Sequence, residues 1–136
     1  IQKDFNQIAQ GRANGHVPQW LVIEGAGGLL VPLNGSSFII DLVKLLKAKL
    51  LLVSRNYLGS INHSLLTARA CREMNIPVEG WIFNCQYLDY ENEIASWTGF
   101  RKIGSIPFHA IPDREFVAEQ AKVIEPVLRQ ILDVKT

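Results

Sequence analysis

The sequence predicts an α/β fold in which a parallel sheet carries helices on both faces. Three observations point to it. Four short apolar runs, at 20–24, 50–53, 78–83 and Lys102–Ile106, each stop abruptly at a polar residue or a proline. Segments with helical spacing separate them, as repeated strand–helix units require, with right-handed crossovers. The run at 50–53 is continuously apolar, which is the pattern of a strand covered on both faces.

Each element has its own local justification. Phe5, Ile8 and Ala9 have helical spacing, and Gly11 followed by Asn14 and Gly15 ends that helix. The strand at 20–24 runs into Glu24 and the glycines after it. Ser36 and Ser37 are good caps for a helix carrying Ile39, Leu42, Val43 and Leu46 at i, i+3, i+4 and i+7. After the strand at 50–53, a helix over 61–74 places Ile61, Leu65 and Ala68 on one side, until Asn75-Ile76-Pro77 stops it. The strand at 78–83 ends at Asn84. Asp89 starts a short helix that Gly99 closes. Pro107 stops the strand Lys102–Ile106, and a final helix over 113–132 has an apolar stripe of Val117, Ala121, Ile124, Leu128 and Ile131. Pro126 is expected to kink or break it.

The chain of 136 residues, 48% hydrophobic and 20% charged, has the size and composition of one α/β domain spanning 1–136. Lys and Arg (14) nearly balance Asp and Glu (13), for a net charge of +1, which argues against nucleic-acid and membrane partners. No apolar run approaches the roughly 20 residues of a membrane span, because Lys44, Lys47 and Lys49 interrupt the richest segment. Cys71 and Cys85 have no metal-ligand spacing and read as reduced thiols of an intracellular protein. The chain opens at Ile1, without a methionine, in an amphipathic segment; Ile1 is expected to be an internal point of a longer protein.

In a parallel α/β sheet, ligands bind outside the carboxyl ends of the strands. The residues expected there are Glu24, Ser54 with Arg55, Asn84, and Pro107 with Phe108 and His109. For Glu24 and the following glycines two readings stand: a tight turn with an incidental acid, or a rim where Glu24 holds Mg²⁺ and the backbone N–H groups hold an anion. One carboxylate is sufficient for Mg²⁺, whose remaining ligands are waters and nucleotide phosphates. Gly59 and Ser60 open a helix whose free N–H groups favour an anion, although Ser60 is equally a simple cap. His63 is either a general base or a packed or exposed helix-start histidine. Asn84 offers an acceptor beside a donor, the complement of an adenine edge, and is also a common turn residue. Trp81 and Trp97 read as core or packing residues. No Cys/His cluster supports zinc, and no Gly-x-Ser-x-Gly motif supports hydrolysis.

Taken together, LVIEGAGGLLVPL at 21–33, LGSINHSLLTAR at 58–69, GWIFN at 80–84 and IGSIP at 103–107 resemble the dethiobiotin synthetases in order and approximate spacing. The resemblance implies a Rossmann-type, three-layer fold related to phosphate-loop NTPases. It also implies a cytoplasmic, homodimeric ligase that uses ATP and Mg²⁺ to close a ureido ring on 7,8-diaminononanoate with CO₂. One amine becomes a carbamate, ATP phosphorylates it, and the second amine attacks the mixed anhydride. By position, Glu24 would be the Mg²⁺ ligand, and Gly25, Ala26 and Gly27 would join it in lining the phosphate and carbamate site. Asn84 and Cys85 would meet the adenine, as would Pro107, Phe108 and His109, with Asp113 as an acidic nucleotide contact. Gly59, Ser60 and Asn62 would reach the substrate carboxylate across the dimer interface.

One departure is large. The family's phosphate loop with its Lys and Thr, a second Lys and a Ser at the substrate, and an Asp near the metal have no counterpart, and no G-x-x-x-x-G-K-[ST] occurs in these residues. The catalytic lysine is expected in an N-terminal part, the chain being the C-terminal portion of a longer one-domain enzyme and inactive alone. The alternatives are a non-catalytic dimerisation or binding module derived from the same fold, and another phosphate-loop relative such as an amidoligase or a partition-type ATPase.

Overall fold

The computed structural model describes residues 1–11, 15, 20–84 and 90–132. The chain divides into two compact units, Ile1–Lys47 and Ala48–Thr136.

The first unit holds α1 (Gln2–Ala9) and α2 (Ile39–Leu46). The Ile1 ammonium lies 3.3 Å from Asp4 at the start of α1, and Gly11 at φ 68° follows its end, as the sequence predicts. The expected start of α2 is corrected. Asn34 Oδ1 accepts from the N–H groups of Ser36 (2.9 Å) and Ser37 (3.0 Å), so both serines belong to an Asn-centred turn. The cap position is Phe38, whose N–H donates to Asp41 Oδ2 at 2.8 Å.

The strand expected at 20–24 is not formed. These residues have no ladder partner among the described residues, and Val22 is 91% exposed. A parallel strand has no backbone hydrogen bonds of its own and must take them from neighbours, so an apolar run without a partner stays irregular.

The second unit holds the sheet. Strands β1 (Leu50–Arg55), β2 (Val78–Asn84) and β3 (Lys102–Ile106) pair in parallel in the order β1-β2-β3. Helices α3 (Ser60–Glu73), α4 (Glu91–Thr98) and α5 (Arg114–Ile131) complete it. Asp89, expected to begin α4, lies outside the described residues. Gly99 closes α4 at φ 62°, as expected.

Alternation along the strands sorts the helices by face. On β2, Trp81 and Phe83 share one face and are buried; Trp81 Nε1 donates to Thr98 Oγ1 of α4 at 2.9 Å. Ser54 on β1, paired with Phe83, approaches Ser64 of α3 at 3.2 Å between hydroxyl oxygens. On the opposite face, Leu51, Ile82 and Ile106 pack in a cluster with Ile124 and Ile131 of α5. The second unit is therefore an α/β three-layer arrangement with helices on both sides of a parallel sheet. Burial of a side chain such as Phe83 contributes about 1.5–3 kcal/mol.

Several expectations are corrected here. The buried face of α3 is Ser60, Ser64, Ala68 and Cys71, not the Ile61, Leu65 and Ala68 stripe. Ser60 is not the cap: Gly59 is, at φ 98°. Trp97 is exposed rather than packed, and Val53 on β1 is 67% exposed, so that strand is not covered on both faces throughout. Pro126 does not end α5, which continues to Ile131. The stripe on α5 is buried only at Ile124 and Ile131, while Val117 is exposed.

Candidate functional site

In the first unit, Glu24 is exposed and makes no hydrogen bond or ion pair among the described residues. The amides of Gly25, Ala26, Gly27 and Gly28 likewise donate to no group among them. Gly27 has φ 83°, and a Cβ there would lie 2.9 Å from Val31 Cγ2, so both conformation and space require glycine. The loop beyond is tied to the start of α2, where Ile39 N–H donates to Val31 O (3.0 Å) and Ile40 N–H to Leu29 O (2.9 Å). Those first helix amides are thus occupied, and the open donors are those of residues 25–28. Among the described residues no three His, Cys, Asp or Glu side chains are grouped to hold a metal. One uncommitted carboxylate beside open amides fits Mg²⁺ carried in with a phosphorylated ligand, since that ion takes one or two carboxylates and keeps phosphate and water ligands.

In the second unit, the ladder aligns the carboxyl ends of the strands. Arg55 pairs with Asn84, and Asn84 pairs with Ile106. Asn84 and Pro107, 23 positions apart in the chain, therefore meet at one edge of the sheet. Beyond Pro107, Phe108 is 65% exposed, and the His109 ring stacks on Phe116 with centroids 4.5 Å apart. Asp113 caps α5, its Oδ1 accepting from Phe116 N–H at 2.8 Å, which leaves the other oxygen for a ligand. Cys85 lies outside the described residues.

Gly59, Ser60 and Asn62 open α3. Ser60 is buried, whereas Asn62 and His63 are exposed on the first turn. Tyr57 OH is hydrogen-bonded to His63 Nδ1, so the imidazole is engaged by a phenol on the exposed first turn of the helix. Arg55, beside Asn84, was visible in the sequence as a strand end without a role. Glu91 was not visible at all: it is fully buried, with Lys102 Nζ 2.7 Å from its Oε2 and Ser105 Oγ donating to the same oxygen. An acid in the first turn of a helix ordinarily signals a solvated cap.

Residues 4–115 match the family described as AAA domain. The chain belongs to this family. That AAA-domain match covers the glycine loop, the sheet and the turn after β3. Among individual proteins, the chain is 42% identical over 100 residues to the ATP-dependent dethiobiotin synthetase of Cytophaga hutchinsonii, covering 73% of this chain and 47% of that protein. It is 43% identical over 88 residues to that of Afipia carboxidovorans (64% and 42%) and 30% identical over 96 residues to that of Nitrosopumilus maritimus (66% and 42%). The chain thus spans under half the length of these curated relatives.

Proposed function

We propose that this chain is part of an ATP-dependent dethiobiotin synthetase, a ligase of the biotin pathway that closes the ureido ring of dethiobiotin. The observation that carries the reading is the Arg55–Asn84–Ile106 register. It brings the end of GWIFN beside the end of IGSIP, two of the segments that resemble the synthetases, at the edge where α/β sheets bind ligands.

In this reading Asn84 and the Pro107, Phe108 and His109 turn contact the adenine, with Cys85 after Asn84 and Asp113 as a further nucleotide contact. The exposed Phe108 ring supplies an apolar wall and Asn84 supplies hydrogen-bonding polarity. Glu24 is the ligand of Mg²⁺, which would neutralise phosphate charge, and the amides of Gly25, Ala26 and Gly27 donate to phosphate and carbamate oxygens. Gly59, Ser60 and Asn62 bind the carboxylate of 7,8-diaminononanoate; with Ser60 buried, Asn62 is the side chain of the three that meets it directly. The carbamate formed from one amine and CO₂ takes the γ-phosphoryl group of ATP, and the second amine displaces phosphate as the ring closes.

A cytoplasmic homodimer belongs to the same proposal. The support for the dimer is the apolar surface formed by Tyr57 and Leu58 before α3 and Leu66 within it, all exposed. Because G-x-x-x-x-G-K-[ST] is absent from the 136 residues, they are not expected to turn over alone. The test is to incubate the full chain containing these residues with 7,8-diaminononanoate, bicarbonate, ATP and Mg²⁺. Dethiobiotin and one phosphate per ring are expected; ATP hydrolysis without dethiobiotin would favour the amidoligase or partition-type alternative, and inert protein the binding module.

A further inference from the structure

We infer that Glu91 is a positioning residue for the base-binding edge of the sheet, acting through Ser105. The inference rests on the proposed nucleotide contacts at Asn84 and the turn after Pro107.

Strand β3 is weakly determined by its own pairing. It has five residues and, among the described residues, a partner on one side only. Its register with β2 is irregular: Trp81 pairs with Lys102, but Ile82 pairs with Gly104. A one-residue slip in a strand turns every side chain to the other face. For β3 such a slip would move Ile106 out of line with Asn84 and shift Pro107, Phe108 and His109 along the edge.

Glu91 bridges the irregularity. Its Oε2 is held by Lys102 Nζ on one side of the register shift and by Ser105 Oγ on the other, and the residue is completely buried at the start of α4. Oε1 has no hydrogen-bond partner among the described residues. A buried carboxylate is costly, and an apolar group in its place is often at least as stabilising, so its presence is poorly explained by stability alone. What it supplies is a fixed alignment. Two strand positions are clamped to one helix, and the second is two residues before Pro107.

The test is steady-state kinetics on the full chain with Ser105→Ala, Ser105→Thr and Phe108→Ala. Ser105→Ala removes one hydrogen bond to a charged acceptor and leaves the Glu91–Lys102 pair. It is expected to raise the KM for ATP roughly threefold to tenfold, less than the full worth of a hydrogen bond to a charged acceptor because the base contacts are shifted rather than removed. kcat and the KM for diaminononanoate should stay within about twofold, because the loss is confined to one binding interaction. Ser105→Thr, which keeps the hydroxyl, should restore the ATP value. A general loss of stability would not divide the two substrates in this way. Glu91→Gln, which removes the charge that strengthens the Ser105 bond and holds Lys102, should shift the ATP KM in the same direction and provides a second variant if Ser105→Ala folds poorly. If Phe108→Ala raises the ATP KM while Ser105→Ala and Glu91→Gln leave it unchanged, the positioning role is wrong and the base-contact reading stands. If Phe108→Ala has no effect on ATP either, the base-contact reading fails and takes the inference with it.

Discussion

Glu24 stands in solvent beside four uncommitted amides, whereas Glu91 is enclosed with Lys102 and Ser105 against it. Only the first was legible in the sequence, because an acid between an apolar run and glycines is an unusual local pattern. The second depends on which residues α4 and β3 bring together, and nothing near Glu91 in the chain reports that. Ser36 and Ser37 were misread for a similar reason: Asn34, two and three positions earlier, competes for their amides. Cys71 carries a prediction at this scale. Burial pushes its thiol up from 9.0 to about 11. The unfolded chain then loses its proton at lower pH than the folded one, so the stabilising contribution is complete below pH 9 and lost as pH rises through about 11. Urea unfolding between pH 8 and pH 11 should show the native chain losing about 2 kcal/mol more than Cys71→Ala, most of the equivalent of the pKa difference, because the folded thiol is itself only half-titrated at the end of that range. Parallel pH profiles for the two would contradict it.

Elements with strong punctuation form where the sequence places them, and the expected strand that finds no partner among the described residues does not form. Pro107 after an apolar run defines β3, and Asp113 before a periodic segment defines the start of α5. By contrast, residues 20–24 have strand composition but no neighbour to pair with among the described residues. The face of α3 was misread because small residues are buried there: Ser64 lies within 3.2 Å of Ser54, an approach that a larger side chain would prevent. Helix α5 runs through Pro126, which removes the donor for the carbonyl of Lys122. Both residues are exposed, so water can serve that carbonyl and the helix persists at a cost. Pro126→Ala is therefore expected to raise unfolding stability by about 1–3 kcal/mol, measured by urea denaturation. A loss of stability would mean that the helix needs the ring at this position.

For the molecule as a whole, the α/β class and the alignment of the strands' carboxyl ends at one edge were legible because alternating strand and helix periods leave few topologies open. Among the described residues three strands, rather than four, carry that pattern. No helix among the described residues is long and apolar enough to cross a membrane. What the sequence conveyed least was which side chains share a buried face, since that is decided by packing across elements. The functional account divides between an exposed acid with open amides in the first unit and a register-aligned edge in the second, and the metal-binding role of Glu24 is its central claim. The most direct test is turnover of the full chain carrying Glu24→Ala, with Mg²⁺ varied. Because Glu24 is exposed and unpartnered among the described residues, the thermal midpoint should be unchanged, while kcat for dethiobiotin formation should fall by about 100-fold or more, the scale seen when one group that stabilises developing negative charge is removed. Unchanged kcat with unchanged Mg²⁺ dependence would contradict the account.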